Sequence, residues 1–361
     1  MLADYGPVPL KFAPRVLQKV WGGDYLRRRF PALVAAEGEG AIGEVWVASP
    51  ELPIVPSRPV AQGAPTAPPH ADLPLLVKLI HARENLSVQV HPDDDYARAH
   101  EPWPVGKTEL WYVLHADPGA QIMLGPHRAL TPAGVRAALA DGSLPTMLNH
   151  VDVAAGDVVF IPAGTIHALG AGVVVYELQQ ASDVTYRLYD WGREQQGGLG
   201  RELHVDKALD VAALEPFAVA KIEPLAVEKD GLARTLLSAC RYFAAELLSP
   251  AEPITRTLAD ASFHLLTVLA GSAVLRSSND AQPAIEIAEG ESAVIPQAVA
   301  DYTLVPLEQP LELIHAYVPD LQRDIIAPLL ERGVPIERIL QLGGSRDDSD
   351  IRRAARAMGV V

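Results

Sequence analysis

"AAGDVVFIPAGTIHAL" (154–169) returns in altered form as "AEGESAVIPQAVADYTL" (288–304). In each copy a Gly-acidic turn leads into a short apolar run that ends in Ile-Pro, the pattern of a strand between turn signals. A second pair echoes the first: "ELWYVL" (109–114) and "HLLTVL" (264–269). Two related β units in one chain indicate a duplicated barrel. Asp301 aligns with His167, and no Gln-x-His pair precedes the second copy, so the second unit is expected to be structural.

Gly-Asp-x-x-x-Ile-Pro is similar to the turn of cupin-type jelly rolls. The expected fold is mainly β, with two cupin-type barrels, the second degenerate. Residues 1–54 and 75–215 are assigned to a catalytic barrel, interrupted by a Pro/Ala-rich loop over 55–74. Residues 216–318 are assigned to the second barrel. "GPHRALTPAGVRAALADGSLPTMLNHV" reads as a helical insert over about 126–150, with Thr131 as N-cap and Pro132 in the first turn. "LQRDIIAPLLERG" and "DSDIRRAARAMG" make 319–361 a helical C-terminal extension. Trp21-Gly22-Gly23 reads as a turn, and "LLTVLAGSAVL" as strand-turn-strand.

The net charge of −15 excludes nucleic-acid binding over a broad face. Any anionic ligand must be met by local cations. No run reaches the roughly 18 apolar residues of a membrane span. "MLADYGPVPL" shows no secretory pattern, and the single cysteine, Cys240, allows no internal disulfide. A cytoplasmic protein is expected.

"LSVQVHPDDD" (86–95) carries the chemistry. Gln89 and His91 lie two apart and share a strand face, and Pro92 ends the ladder. Asp93 to Asp95 read as a helix start rather than as extra ligands. Glu109 opens "ELWYVL", and His167 follows the turn Pro162-Ala163-Gly164. Gln89, His91, Glu109 and His167 together offer a mixed N/O shell suited to zinc or another divalent first-row metal.

"LLVKLIHARENLSVQVHPDDDYA", "GKTELWYVL", "GDVVFIPAGTIHAL" and "QQASDVTYRLYDWGR", in this order, resemble type I phosphomannose isomerases. "KVWGG" and "IGEVWVAS" fit as well. The resemblance implies a metal-dependent aldose–ketose isomerase that interconverts mannose 6-phosphate and fructose 6-phosphate through an enediol. It makes Gln89, His91, Glu109 and His167 the ligands of one Zn2+. It gives Lys107 and Arg187 active-site roles and makes Asp183 and Glu177 acid/base candidates, with metal-bound water as a rival. Trp21, Glu44 and Trp46 are expected to line the pocket, and Arg193 and Lys207 to meet the phosphate. A phosphorylated hexose is the expected partner; oligomeric state is left open. Two other readings stand beside this one: a sugar-phosphate sensor without turnover, and a cupin metal oxygenase.

Overall fold

The computed structural model describes residues 6–55, 73–193, 201–216, 221–229, 232–258, 263–278 and 282–361. The Pro/Ala-rich stretch lies outside the described residues except for its ends.

The chain folds as two antiparallel barrels with helical additions. One sheet of the first barrel has six strands, in the order Val158–Ile161, Glu109–Ala116, Val173–Gln180, Leu75–Ala82, Ile42–Ala48 and Arg15–Gly23. The opposing sheet has five: Tyr186–Tyr189, Val88–Val90, His167–Leu169, Gln121–Pro126 and Leu148–Asp152. Leu75–Ala82 and Val173–Gln180 are buried along their whole length, as β-rich runs covered on both faces should be.

The second barrel repeats this order. Ser292–Pro296, Phe263–Ser277, Asp301–Tyr317, Ala244–Leu248, Leu232–Ala239 and Leu225–Lys229 lie side by side. Phe263–Ser277 is one continuous strand, not strand-turn-strand. Gly271 takes φ +76°, and register shifts on both sides of Ala270 bend the strand without breaking it. A Cβ there would sit 2.6 Å from Glu308 O, so only glycine fits.

Three further expectations are corrected. The N-terminal segment does not belong wholly to the first barrel. Leu10–Phe12 pairs with Ser292–Pro296, and Ile54–Val55 adds beyond it, covering what would be an exposed strand edge. Trp21–Gly23 ends a strand instead of forming a turn; Gly22 packs so close to Gly43 that a Cβ would lie 2.5 Å from its nitrogen. The insert ends before Leu148, which opens a strand paired with Gln121–Pro126. Its helix, Pro132–Ala140, begins as expected, with Thr131 Oγ1 accepting from Gly134 N at 3.0 Å.

The extension is helical at Ala327–Glu331, Ile336–Gln341 and Asp350–Ala357. Its Ile325, Ile339, Leu342 and Ile351 are fully buried in a core shared with Leu110 and Tyr176 of the first barrel and Leu236 and Phe263 of the second. Each such side chain contributes about 1.5–3 kcal/mol relative to exposure. The extension therefore closes the seam between barrels. Among the described residues no helix is long and apolar enough to cross a membrane.

Candidate metal and substrate site

The two sheets of the first barrel aim one set of polar side chains inward. His167 pairs directly with Gln89, and Gln89 with Arg187, so these residues form a row across one sheet. Glu109 enters from the other sheet, opposite Ile161. Gly164, at φ +83°, makes the turn that returns the chain for His167.

The ligand-type atoms converge. His91 Nε2 lies 3.3 Å from Glu109 Oε1, and His167 Nε2 lies 3.4 Å from Glu109 Oε2. Gln89 Nε2 stands 3.5 Å from His91 Nε2 and 3.3 Å from His167 Nε2. On the far side of each ring Nδ1 lies against a backbone carbonyl, Val184 O at 2.8 Å and Thr165 O at 2.9 Å. Nδ1–H must donate there, which leaves both Nε2 lone pairs directed at the centre. Burial, reinforced by the Lys107 cation, pushes His91 down to about 3, and burial also lowers His167. Both imidazoles are therefore neutral, as metal ligands must be. Burial alone would raise Glu109, but Lys107 and His91 hold it well below the usual carboxylate range.

Among the described residues, His91, Glu109 and His167 form a buried group able to hold a metal ion. The structure favours a positive charge there. Neither Glu109 oxygen receives an aligned hydrogen bond from the described residues, although both are buried. The Lys107 ammonium already stands 2.6 Å from Oε1 and 3.3 Å from His91 Nε2.

A cavity of about 220 Å³ adjoins this centre. Gln89, Lys107, Glu177, Asp183, Arg187, Trp21 and Glu44 line it. Lys19, Lys78, Ser87, Arg201 and His204 line it too, and none of these was expected. Lys78 did leave a trace. It is the one charged residue in "LLVKLI", and a lysine in a buried strand requires partners. It has three: Asp183 at 2.6 Å, Glu177 at 3.8 Å and Glu44 at 3.9 Å. These carboxylates outweigh burial and raise Lys78 above its ordinary range. Burial and the nearby Glu109 charge push Glu177 up to about 7. Its Oε2 accepts from Trp111 Nε1 at 2.8 Å, and its Oε1, the atom 3.8 Å from Lys78 Nζ, has no hydrogen-bond partner among the described residues.

Three expected pocket residues lie elsewhere. Arg193 is held by Asp190 at 2.8 Å and by Asn85 O at 2.9 Å, outside the cavity lining. Lys207 pairs with Glu101 at 2.6 Å beside the Tyr186 ring. Trp46 lies beneath the lining, with Lys78 Nζ 4.9 Å from its ring and its Nε1 donating to Glu44 at 2.9 Å. In each case a nearer acidic or aromatic partner captures the group. Arg201 carried no sequence signal; bonds to Asp190 orient it.

The second barrel shows what replaced this arrangement. Strand registers place Arg234, Glu246, His264 and His315 at the stations of Glu44, Lys78, Glu109 and Glu177. The Glu44–Lys78 pair thus recurs with its charges exchanged, Arg234 Nη1 bonding Glu246 at 2.7 Å. Asp301, aligned with His167 by the repeat, pairs with Thr257 on the outside. Tyr302 points inward instead, its OH 3.1 Å from His264 Nδ1. Arg256 lies 3.2 Å from His315 Nδ1, so a guanidinium faces this imidazole and would repel a cation.

This chain is 37% identical over 249 residues to the mannose-6-phosphate isomerase of Streptococcus mutans, across 65% of this chain and 77% of that protein. It is 40% identical over 171 residues to a mannose-6-phosphate isomerase of Bacillus subtilis, across 47% and 53% of the two chains. The crystal structure of the Bacillus subtilis mannose 6-phosphate isomerase superposes with a TM-score of 0.71 at 28% identity, covering 85% of this chain and 99% of that one. A variant of the Salmonella typhimurium phosphomannose isomerase, 18% identical, shares the fold with a TM-score of 0.64 over 86% of this chain and 99% of that one. No family model matches. Sequence identity over most of a relative's length and a common two-barrel fold together establish that the chain belongs to the mannose-6-phosphate isomerase family.

Proposed function

We propose that this chain interconverts mannose 6-phosphate and fructose 6-phosphate in the cavity of its first barrel, at a zinc ion held by Gln89, His91, Glu109 and His167, in the cytoplasm. The second barrel serves as structure. The observation that carries the reading is the pair of neutral imidazoles converging on a buried carboxylate with no aligned donor, beside a cavity rich in paired charges. A half-turn of the Gln89 amide directs its oxygen at the two imidazoles and lets Nε2 donate to Ser87 Oγ. A divalent ion bound there supplies Lewis-acid polarisation of the sugar carbonyl.

The remaining work falls to side chains. Glu177 is suited to carry the proton between C2 and C1. Its pKa lies near the working range, and Oε1 accepts no hydrogen bond from the described residues. Lys78 and Lys107 stabilise negative charge developing on the sugar oxygens. Arg187 donates to Ser87 Oγ at 3.3 Å and Glu202 O at 2.9 Å, which hold its guanidinium at the cavity wall. Together with Arg201 it makes that wall cationic, suited to a phosphate. Asp183 fixes the Lys78 ammonium.

Purified protein should convert mannose 6-phosphate to fructose 6-phosphate, lose activity on chelation and recover it with zinc. A folded, zinc-loaded sample without turnover would overturn the reading; retained sugar-phosphate binding would then indicate a sensor, and oxygen consumption an oxygenase. A finer test concerns Glu177. Only its ionised form can accept the proton, so turnover should fall as the pH drops through about 7. Glu177→Gln should lower kcat by about 10²–10⁴-fold. Wild-type kcat in that variant would return the role to Asp183.

A further inference from the structure

The acidic triplet after His91 divides its labour. Asp93 caps the helix Asp94–His100, its Oδ1 accepting from Tyr96 N at 2.9 Å. Asp95 pairs with Arg98 on the surface. Asp94 turns the other way. Its Oδ1 accepts from Gly106 N at 2.9 Å and from Gln180 Nε2 at 2.9 Å. Gln180 Oε1 in turn accepts from Thr108 N, also at 2.9 Å. The amides of the two residues flanking Lys107 are thus held by one carboxylate, that of Gly106 directly and that of Thr108 through Gln180. The Lys107 amide itself donates to Pro92 O at 3.0 Å. The loop lies so flat on the helix start that a Cβ at Gly106 would sit 2.6 Å from Asp93 C.

The other oxygen of Asp94 reaches the second barrel. Oδ2 accepts from Tyr242 OH at 2.7 Å, and Arg241 lies 3.9 Å away. Arg241 and Tyr242 sit in the hairpin between Leu232–Ala239 and Ala244–Leu248. The Arg241 amide donates to Asp350, the first residue of the last helix of the extension, at 3.2 Å.

We propose that Asp94 is a positioning residue for Lys107, and that Tyr242 makes this positioning depend on the docked second barrel. The inference rests on the reading of Lys107 as an active-site group. A buried lysine 2.6 Å from Glu109 must be placed closely to serve there, since small misplacements of a catalytic group are costly. The second barrel thereby gains a part in the reaction without touching substrate.

The test compares zinc-loaded wild type, Asp94→Ala, Asp94→Asn and Tyr242→Phe by kcat, KM, melting temperature and hydrogen exchange of the peptide spanning 101–110. Asp94→Ala should lower kcat by about 10- to 100-fold with little change in KM, and the peptide should exchange faster. Asp94→Asn should recover most of both, since its amide oxygen accepts from Gly106 and Gln180 and its NH2 meets the Tyr242 oxygen. Tyr242→Phe should shift both readouts in the same direction by less. An active wild type with unchanged kcat and exchange in Asp94→Ala would overturn the inference and leave the isomerase reading intact. A fallen melting temperature with kcat unchanged per folded molecule would reduce Asp94 to a purely structural role. An inactive wild type would instead sink the isomerase reading, and exchange of the 101–110 peptide would still decide whether Asp94 orders the loop.

Discussion

Glu109→Ala is expected to yield protein that retains no metal and turns over no substrate. Glu109 offers the only carboxylate in the buried group with His91 and His167 among the described residues, and two neutral imidazoles with an amide make a weaker shell for a hard divalent ion. The electrostatic loss alone is comparable to removing one preorganised stabilising group, about 10²–10³-fold in kcat, before loss of the metal is counted. A second consequence concerns the cation left behind. Lys107 is buried, and Glu109 lies 2.6 Å from its ammonium. Removing one member of a buried pair typically costs about 3–5 kcal/mol. Metal analysis of the purified variant, beside denaturant unfolding, separates the two effects. Stoichiometric metal together with wild-type kcat in Glu109→Ala would remove this centre from the reaction.

The second large effect lies in the other barrel. Glu246→Ala should destabilise the protein by about 3–5 kcal/mol, because it strands Arg234 among buried groups. Glu246 also lies 3.3 Å from Tyr317 OH and 3.5 Å from His315 Nδ1. Burial would raise its pKa, yet His315 and Arg234 bring it down to about 2. The sign of the pH dependence follows. A carboxylate whose folded pKa lies below its unfolded value stabilises the fold above about 4.5, and that contribution fades as the pH falls toward 2. Wild type should therefore lose stability through this acid range, and Glu246→Ala should lose less. Activity per folded molecule should be preserved, since Glu246 does not line the cavity. Urea unfolding at neutral and acid pH measures both. A loss below about 1 kcal/mol would place Glu246 among weak, solvent-screened pairs.

The exchanged charges of Arg234–Glu246 and Lys78–Glu44 give the two barrels opposite polarity at matching strand positions. Both barrels place a cation and a carboxylate at the same two strand stations. In the first barrel the lysine faces two further carboxylates and an open cavity. In the second, the carboxylate faces two guanidinium groups and neutral rings. Buried charges of opposite sign satisfy the fold in either polarity, but among the described residues only the first barrel brings two imidazoles and a carboxylate together as a group able to hold a metal ion.

Local signals in the chain determined a good deal. Repeated Gly-acidic turns before Ile-Pro runs encode two β units, because turn chemistry and strand period are local properties. The Thr131-Pro132 start and the acidic start at Asp93 are read from capping alone. The spacing of Gln89 and His91 requires a shared face wherever the strand lies. Other features arise only when distant segments meet. Leu10–Phe12 joins the far barrel because that sheet has an edge to cover, which no local pattern announces. Arg193 and Lys207 look like phosphate ligands until Asp190 and Glu101 claim them. Lys78 becomes part of the site only through Asp183, 105 positions away in sequence. Asp94 reads as one of three equivalent helix-start acids, and only the docked hairpin carrying Tyr242 sets it apart. The division has one physical cause. Caps, turns and strand faces are settled by neighbours a few residues away, whereas the partner of a buried charge is whichever group the folded chain brings within reach.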